Sequence, residues 1–197
     1  MSLEEFDPDP LRQFQSWFDE ARRAEALLPE AMALATADAA GRPSLRMVLL
    51  KGLGSGAFHF YTHYDSRKGR ELEDNPRAAL AFHWKSLERQ VRAEGRVEKA
   101  AAAESDAYWE SRPWGSRVSA RVSRQSRPLG SREELEEGMR RAGEEWKGRS
   151  PARPEHWGGY LLFPDAMEFW QGRPDRLHER VEYRLEGGAW RRRLLQP

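Results

Sequence analysis

The chain has 197 residues, enough for one sizeable domain with its own core. Its 33 Lys and Arg against 32 Asp and Glu leave a net charge of +1, so no global field steers it to nucleic acid or to a membrane surface. Cysteine is absent, which excludes disulfides, thiolate catalysis and cysteine-ligated metal or iron–sulfur sites and fits a reducing cytoplasm.

Residues 1–8 are acidic and polar, carry no signal-peptide core, and are expected to be a disordered lead to a single domain over 9–197. No apolar run reaches transmembrane length, and no His spacing suggests a metal. Asp9-Pro10 is a helix start, with Asp as cap and Pro at the first helical position. Leu11, Phe14, Trp17, Phe18 and Ala21 then form one apolar stripe, and the helix is predicted to end near Leu28-Pro29. Strand-like runs follow at Ala31–Ala37, Ser44–Lys51 and Ala57–Thr62, separated by short glycine-containing turns, in the manner of an antiparallel meander. In the second run Arg46, Val48 and Leu50 share one face, and Met47, Leu49 and Lys51 the other.

Asp65-Ser66 caps a short helix over Arg67–Asp74, stopped by Asn75-Pro76. Its first turn holds Arg67 and Lys68, which is unfavourable for the helix dipole. With Tyr61-Thr62 before it, a bound anion explains those cations better than a solvated turn does. Arg77–Trp84 and the alternating Arg89–Lys99 read as strands, the second carrying Gln90. Ala100–Ser111 is a predicted helix ended by Pro113. Tyr108 and Arg112 stand four apart on it, with Ser116 beyond, a set suited to a second phosphate. Taken alone, a surface ion pair of Arg112 with Glu110 or Asp106 is the simpler account. Residues 114–130 are polar, with Gln125-Ser126 able to meet the edge of a polar heterocycle. Ser131 to Glu134 has the form of a capping box and opens a helix to about Trp146.

Strands are predicted at Tyr160–Phe163, Ala166–Gln171, Leu177–Leu185 and Ala189–Leu195, the last two joined by Gly187-Gly188. Within Glu168–Arg180 (EFWQGRPDRLHER), Trp170 offers a flat wall, and Arg176, His178 and Arg180 alternate onto one face of an extended strand. Stacking wall plus cationic fork suits a planar phosphorylated molecule. A solvated hairpin edge protected by arginine also fits. The whole pattern is α+β, mainly β: an antiparallel barrel or closed sheet with peripheral helices. Two phosphate seats, a stacking tryptophan and neutral amides imply an organic cofactor beside a phosphorylated substrate.

RMVLLK (46–51), FYT (60–62), SRKGREL (66–72), LERQVR (87–92), YWESRP (108–113), the run around Gln125-Ser126 and EFWQGRPDRLHER (168–180) together resemble the pyridoxamine/pyridoxine 5'-phosphate oxidase family. The resemblance implies an FMN-binding split β-barrel, a homodimer with FMN at its interface, and a cytoplasmic enzyme without metal. It assigns FMN to Arg46, Met47, Val48, Leu49, Leu50, Lys51, Tyr61, Thr62, Arg67, Lys68, Gln90, Gln125, Ser126, Trp170 and Arg180. Substrate falls to Lys51, Tyr108, Arg112, Ser116, Arg176 and His178, of which the first four would grip its phosphate and Arg176 and His178 would be catalytic. The implied chemistry is hydride transfer from C4' of pyridoxine 5'-phosphate or pyridoxamine 5'-phosphate to the flavin, with dioxygen reduced to hydrogen peroxide. The chain departs from the family in its short acidic lead, in Arg121 and in its Leu194-Leu195-Gln196-Pro197 end. A flavin enzyme acting on another substrate, or a non-catalytic flavin or pyridoxal-phosphate carrier, are the alternatives; a nucleic-acid binder is disfavoured by the balanced charge.

Overall fold

The computed structural model describes residues 3–24 and 27–197. Nine strands form one antiparallel sheet: β1 (Ala31–Ala37), β2 (Pro43–Leu49), β3 (Gly52–Gly54), β4 (Ala57–His63), β5 (Arg77–Trp84), β6 (Arg89–Lys99), β7 (Trp157–Gln171), β8 (Glu179–Glu186) and β9 (Ala189–Leu194). The path runs β2-β1-β5-β6-β7-β4-β3, with β8 and β9 added beyond β7. β6 follows one edge of β7, while β4 takes the first half of the other edge and β8 the second half. The sheet divides along β7 into two arms, which gives the split-barrel form. Five α-helices lie around it: α1 (Pro10–Arg23), α2 (Arg67–Asp74), α3 (Ala102–Ser111), α4 (Trp114–Val122) and α5 (Arg132–Glu145). Among the described residues no helix is long and apolar enough to cross a membrane.

The alternation in β1 buries Met32, Leu34 and Thr36 on one face. Phe58 and Phe60 of β4, Phe82 of β5 and Phe169 of β7 join them in the core. α1 closes the core with its apolar stripe; Phe14 is fully buried, with its ring 4.9 Å from both Phe58 and Phe82. Asp9 caps this helix by accepting the Leu11 N–H at 2.9 Å. The helix ends at Arg23, five residues short of Leu28, with Ala24 as its C-cap, and Leu28 takes a left-handed conformation (φ 51°) before β1.

Several expectations need correction. Residues 3–8 are not a loose lead: Leu3–Glu5 forms a 3₁₀ turn, Phe6 packs on Trp17 and Phe169, and Arg192 of β9 donates to the carbonyls of Leu3 and Phe6. Met1 and Ser2 lie outside the described residues. The two strands expected around Pro164 are one, β7, because a bulge takes up the proline: Gly95 faces Pro164, Glu94 faces Ala166, and Asp165 is the extra residue. Gly95 is required there, since a Cβ would lie 1.9 Å from the Phe163 carbonyl oxygen. The polar run 114–130 contains α4, whose short apolar row of Trp114, Val118 and Val122, spaced by four, is set among polar residues. Arg176 is not on a strand. Pro174–Arg176 is a 3₁₀ turn in which Asp175 and Arg176 have φ of 55° and 61°, and β8 starts only at Glu179. The one-face alternation of Arg176, His178 and Arg180 therefore does not exist.

Candidate active site

A cavity of about 1050 Å³ opens between β2, the end of β4, the N-terminus of α2, the α3–α4 junction and the loop after α4. It gathers Arg46, Met47, Val48, Leu49 and Lys51, then Tyr61, Thr62, Arg67 and Lys68, then Tyr108, Arg112 and Ser116, and finally Gln125 and Ser126. Most of the expected cofactor and substrate residues thus meet in one place.

The α2 end is built by its cap. Ser66 Oγ accepts the Gly69 N–H at 3.2 Å and donates to the His63 carbonyl at 2.7 Å. Gly69 lets α2 lie against the preceding turn; a Cβ there would be 1.9 Å from the Tyr64 carbonyl oxygen. Lys68 is turned inward and only 6% exposed. Its Nζ donates to Gln125 Oε1 at 2.8 Å, Thr62 Oγ1 at 2.9 Å and Ser66 Oγ at 3.2 Å, all neutral acceptors. Burial, and then the nearby Arg46 guanidinium, bring its pKa down from 10.5 to about 8. No carboxylate lies within ion-pair distance of Lys68 among the described residues.

Arg112, just past α3, is the second such cation. It lies over the indoles of Trp157 and Trp109, 4.6 and 5.3 Å from their centroids, and its Nη1 is buried with no hydrogen-bond partner. Burial lowers its pKa. The ion pair expected with Glu110 or Asp106 is absent, because Arg117 takes Glu110 and Arg153 takes Asp106. Tyr108 stacks on Tyr61 at 3.9 Å between centroids, and burial raises the pKa of both phenols, that of Tyr61 to about 12. The chemistry available is anion binding: a buried ammonium held only by neutral acceptors and a half-buried guanidinium with a free donor sit in one cavity, neither paired with a carboxylate among the described residues.

The remaining expected residues lie elsewhere. Leu50 faces the core, 6% exposed. Gln90, Trp170 and Arg180 are register neighbours across β6, β7 and β8, with the His178 ring 4.7 Å from Trp170 and tilted 46° to it. Glu168 holds Arg180 by two hydrogen bonds of 2.9 Å. None of Gln90, Trp170, Arg176, His178 and Arg180 lines the cavity. Trp170 is thirteen residues along β7 from Trp157 at the cavity, roughly 40 Å of strand.

Residues 18–144 match the family described as pyridoxamine 5'-phosphate oxidase, and 157–197 match the C-terminal dimerisation region of pyridoxine 5'-phosphate oxidase. The chain belongs to the pyridoxamine 5'-phosphate oxidase family. Relatives named pyridoxine/pyridoxamine 5'-phosphate oxidase include one from Cupriavidus necator, 56% identical over all of this chain and 93% of that protein. Another, from Rubrobacter xylanophilus, is 54% identical over 97% of this chain and 88% of that one. Among solved structures, PhzG from Burkholderia lata, in complex with tetrahydrophenazine-1-carboxylic acid, superposes with a TM-score of 0.94 at 32% identity, covering 98% of this chain and 95% of that one. A pyridoxamine 5'-phosphate oxidase-related, FMN binding protein from Nostoc punctiforme shares the fold, with a TM-score of 0.76 at 18% identity over 96% and 98% of the two chains. Like the named members of its family, this chain is an oxidoreductase.

Sequence reasoning missed four residues that shape the site. Trp157, which with Trp109 carries Arg112, gave no signal, and Trp109 showed only as part of YWESRP (108–113). His63 lies in the cavity wall, with its imidazole pKa lowered to about 4 by burial and by His156. Glu71, behind the wall, had a faint one: it follows Arg67 by four residues, the spacing of a helical ion pair.

Proposed function

We propose that the chain oxidises pyridoxine 5'-phosphate and pyridoxamine 5'-phosphate to pyridoxal 5'-phosphate, with FMN as cofactor and dioxygen as final acceptor. The observation that carries this reading is a pair of cations in one cavity, buried Lys68 and half-buried Arg112, without carboxylate partners among the described residues. Each suits one phosphomonoester. Arg67, Lys68, Thr62, Gln125 and Ser126 would hold the FMN phosphate and the polar edge of the flavin, with Arg46 to Lys51 along its side. Lys51, Tyr108, Arg112 and Ser116 would hold the substrate phosphate.

Bound FMN supplies the hydride acceptor and returns the electrons to dioxygen. With the alcohol substrate, C4' gives up a hydride and its hydroxyl a proton; dioxygen takes two electrons and two protons to become hydrogen peroxide. The amine route also consumes water and releases ammonia. The residues of the chain fix the substrate by its phosphate, so that C4' is presented in one orientation, and keep bulk water from the ring.

The second half of the site comes from a second copy. Gln90, Trp170, Arg176, His178 and Arg180 lie at the far end of β7 from the cavity, within or beside the part that matches a dimerisation region. Leu45 and Met47 on β2 are 68% and 64% exposed beside the cavity mouth, an apolar strip that a homodimer would cover. In that dimer Arg176 and His178 would meet the pyridine ring. The absence of cysteine fits a cytoplasmic setting.

The likeness to PhzG supports a second reading, oxidation of a polycyclic carboxylate in the same cavity. The Lys51, Tyr108, Arg112 and Ser116 group favours a phosphate. Supplying FMN-loaded protein with pyridoxine 5'-phosphate in air separates the two. Aldehyde absorbance and peroxide rising in equal amounts support the phosphorylated vitamer; no turnover, with tetrahydrophenazine-1-carboxylic acid consumed instead, supports the other.

A further inference from the structure

Glu71 of α2 is buried behind the cavity wall, its side chain 7% exposed. Four donors converge on it: Thr36 Oγ1 and Ser44 Oγ at 2.5 Å, Arg67 Nε at 2.8 Å and Arg46 Nη2 at 3.2 Å. β1, β2 and α2 therefore meet on one carboxylate. Glu71 does not line the cavity, but the two guanidiniums it holds do.

Those guanidiniums are left in different states. Arg46 spends Nη1 on the Leu34 carbonyl and Thr36 Oγ1, and Nη2 on Ser44 Oγ and Glu71, so only its Nε remains. Arg67 lines the cavity with a 60% exposed side chain and gives Nε alone to Glu71, which leaves both terminal nitrogens for a ligand. With Lys68 beside them, three cations and one carboxylate leave a charge of +2, near the opposite of a phosphomonoester, which carries about −1.5 to −2 at neutral pH.

We propose that Glu71 is a positioning residue for the flavin phosphate: it aims the Arg67 fork into the cavity, converts Arg46 into a strut between β1, β2 and α2, and sets the charge of the cluster to suit a dianion. This inference rests on the reading of the cavity as an FMN site and adds the group that organises it. Burial opposes ionisation of Glu71, but the hydrogen bonds from Ser44, Thr36, Arg67 and Arg46 outweigh it and bring its carboxyl down to about 2, so the carboxylate is charged at every working pH. Lys68 faces Arg46 from β2, Thr62 and His63 from β4, Ser66 and Glu71 from α2, and Gln125 from the loop after α4. Of these Glu71 alone is anionic, and it favours the protonated lysine.

The test is Glu71→Gln, with FMN and riboflavin each titrated into apoprotein by flavin fluorescence from about pH 6 to about pH 9. The proposal expects FMN to bind roughly tenfold more weakly at neutral pH while riboflavin, which has no phosphate, binds as in wild type. It also expects the alkaline loss of FMN affinity to begin at lower pH than in wild type. Equal weakening of both flavins with an unmoved pH profile would show a structural role and overturn the proposal, as would unchanged binding of both. Should Glu71→Gln not fold, Glu71→Asp decides: the shorter carboxylate releases Arg67, so FMN alone should weaken, and the proposal falls if it does not. Wild-type protein that takes up no FMN would instead refute the flavin reading itself.

Discussion

Replacing Lys68 with Met separates a binding role from a structural one, because the two predict opposite signs. A lysine pKa brought from 10.5 to about 8 means that the folded protein pays for the charge. At about 1.4 kcal/mol per pH unit the ceiling is about 3 kcal/mol, and water at the cavity mouth reduces it to about 2 kcal/mol. Met keeps the volume and removes the charge. Nothing is orphaned by the change: Thr62 still donates to Gln125 at 3.0 Å, and Ser66 still bonds His63 and Gly69. Without FMN, Lys68→Met should therefore be at least as stable as wild type, by up to about 2 kcal/mol, or about 2–4 °C in Tm per kcal/mol. Its affinity for FMN should fall by one to two orders of magnitude, the worth of a charge-assisted contact of about 1.5–3 kcal/mol. The sign in pH follows. The folded pKa lies below the unfolded one, so the cost is present below about pH 8 and is relieved as pH rises toward 10.5. Wild-type apoprotein should gain stability over that range and the variant should not. Thermal unfolding and flavin titration on the same samples check both. A variant that melts several degrees lower while binding FMN normally would refute the reasoning.

Arg112→Gln should raise KM for pyridoxine 5'-phosphate at least tenfold and leave FMN affinity intact, read from steady-state kinetics and flavin titration. Arg176→Ala should lower kcat by roughly a hundredfold with FMN still bound, since it removes a group proposed to orient the pyridine ring; unchanged turnover would remove Arg176 from the mechanism. Lys68→Met and Arg176→Ala subunits, each poorly active, should regain about a quarter of wild-type activity when unfolded and refolded together, because half of the dimers would be mixed and each would hold one intact site. A mixture that stays inactive would place both halves of the site in the same chain.

The sequence was most legible where local chemistry decides the outcome. Ser66 and Asn75-Pro76 bound α2 at the predicted residues, an apolar run placed β5, and polar–apolar alternation placed β6. It was least legible where partners distant in sequence override a local signal. Pro164 reads as a strand breaker until Gly95 opposes it across a bulge. Arg176 reads as strand until the turn at Asp175 is seen. α4 was overlooked although Trp114, Val118 and Val122 stand at helical spacing, because Ser and Arg fill the positions between them. In the site, Lys68 and Arg112 were identified by residue type and by resemblance, but their lack of counter-charge was not visible. Arg112 in particular depends on Asp106 and Glu110 being taken by Arg153 and Arg117. That Trp170 and its neighbours lie at the other end of β7 from the cavity was hidden too, since spacing in sequence does not say which residues share a cavity. Arg121 donates to the Ala152 carbonyl and lies over Trp146.

The central claim is that the cavity recognises its substrate by a phosphate, and comparing kcat/KM for pyridoxine 5'-phosphate and for unphosphorylated pyridoxine tests it most directly. If Lys51, Tyr108, Arg112 and Ser116 grip that phosphate, the phosphorylated form should be favoured by at least a hundredfold, the worth of about two charge-assisted contacts. Comparable values for the two would contradict it.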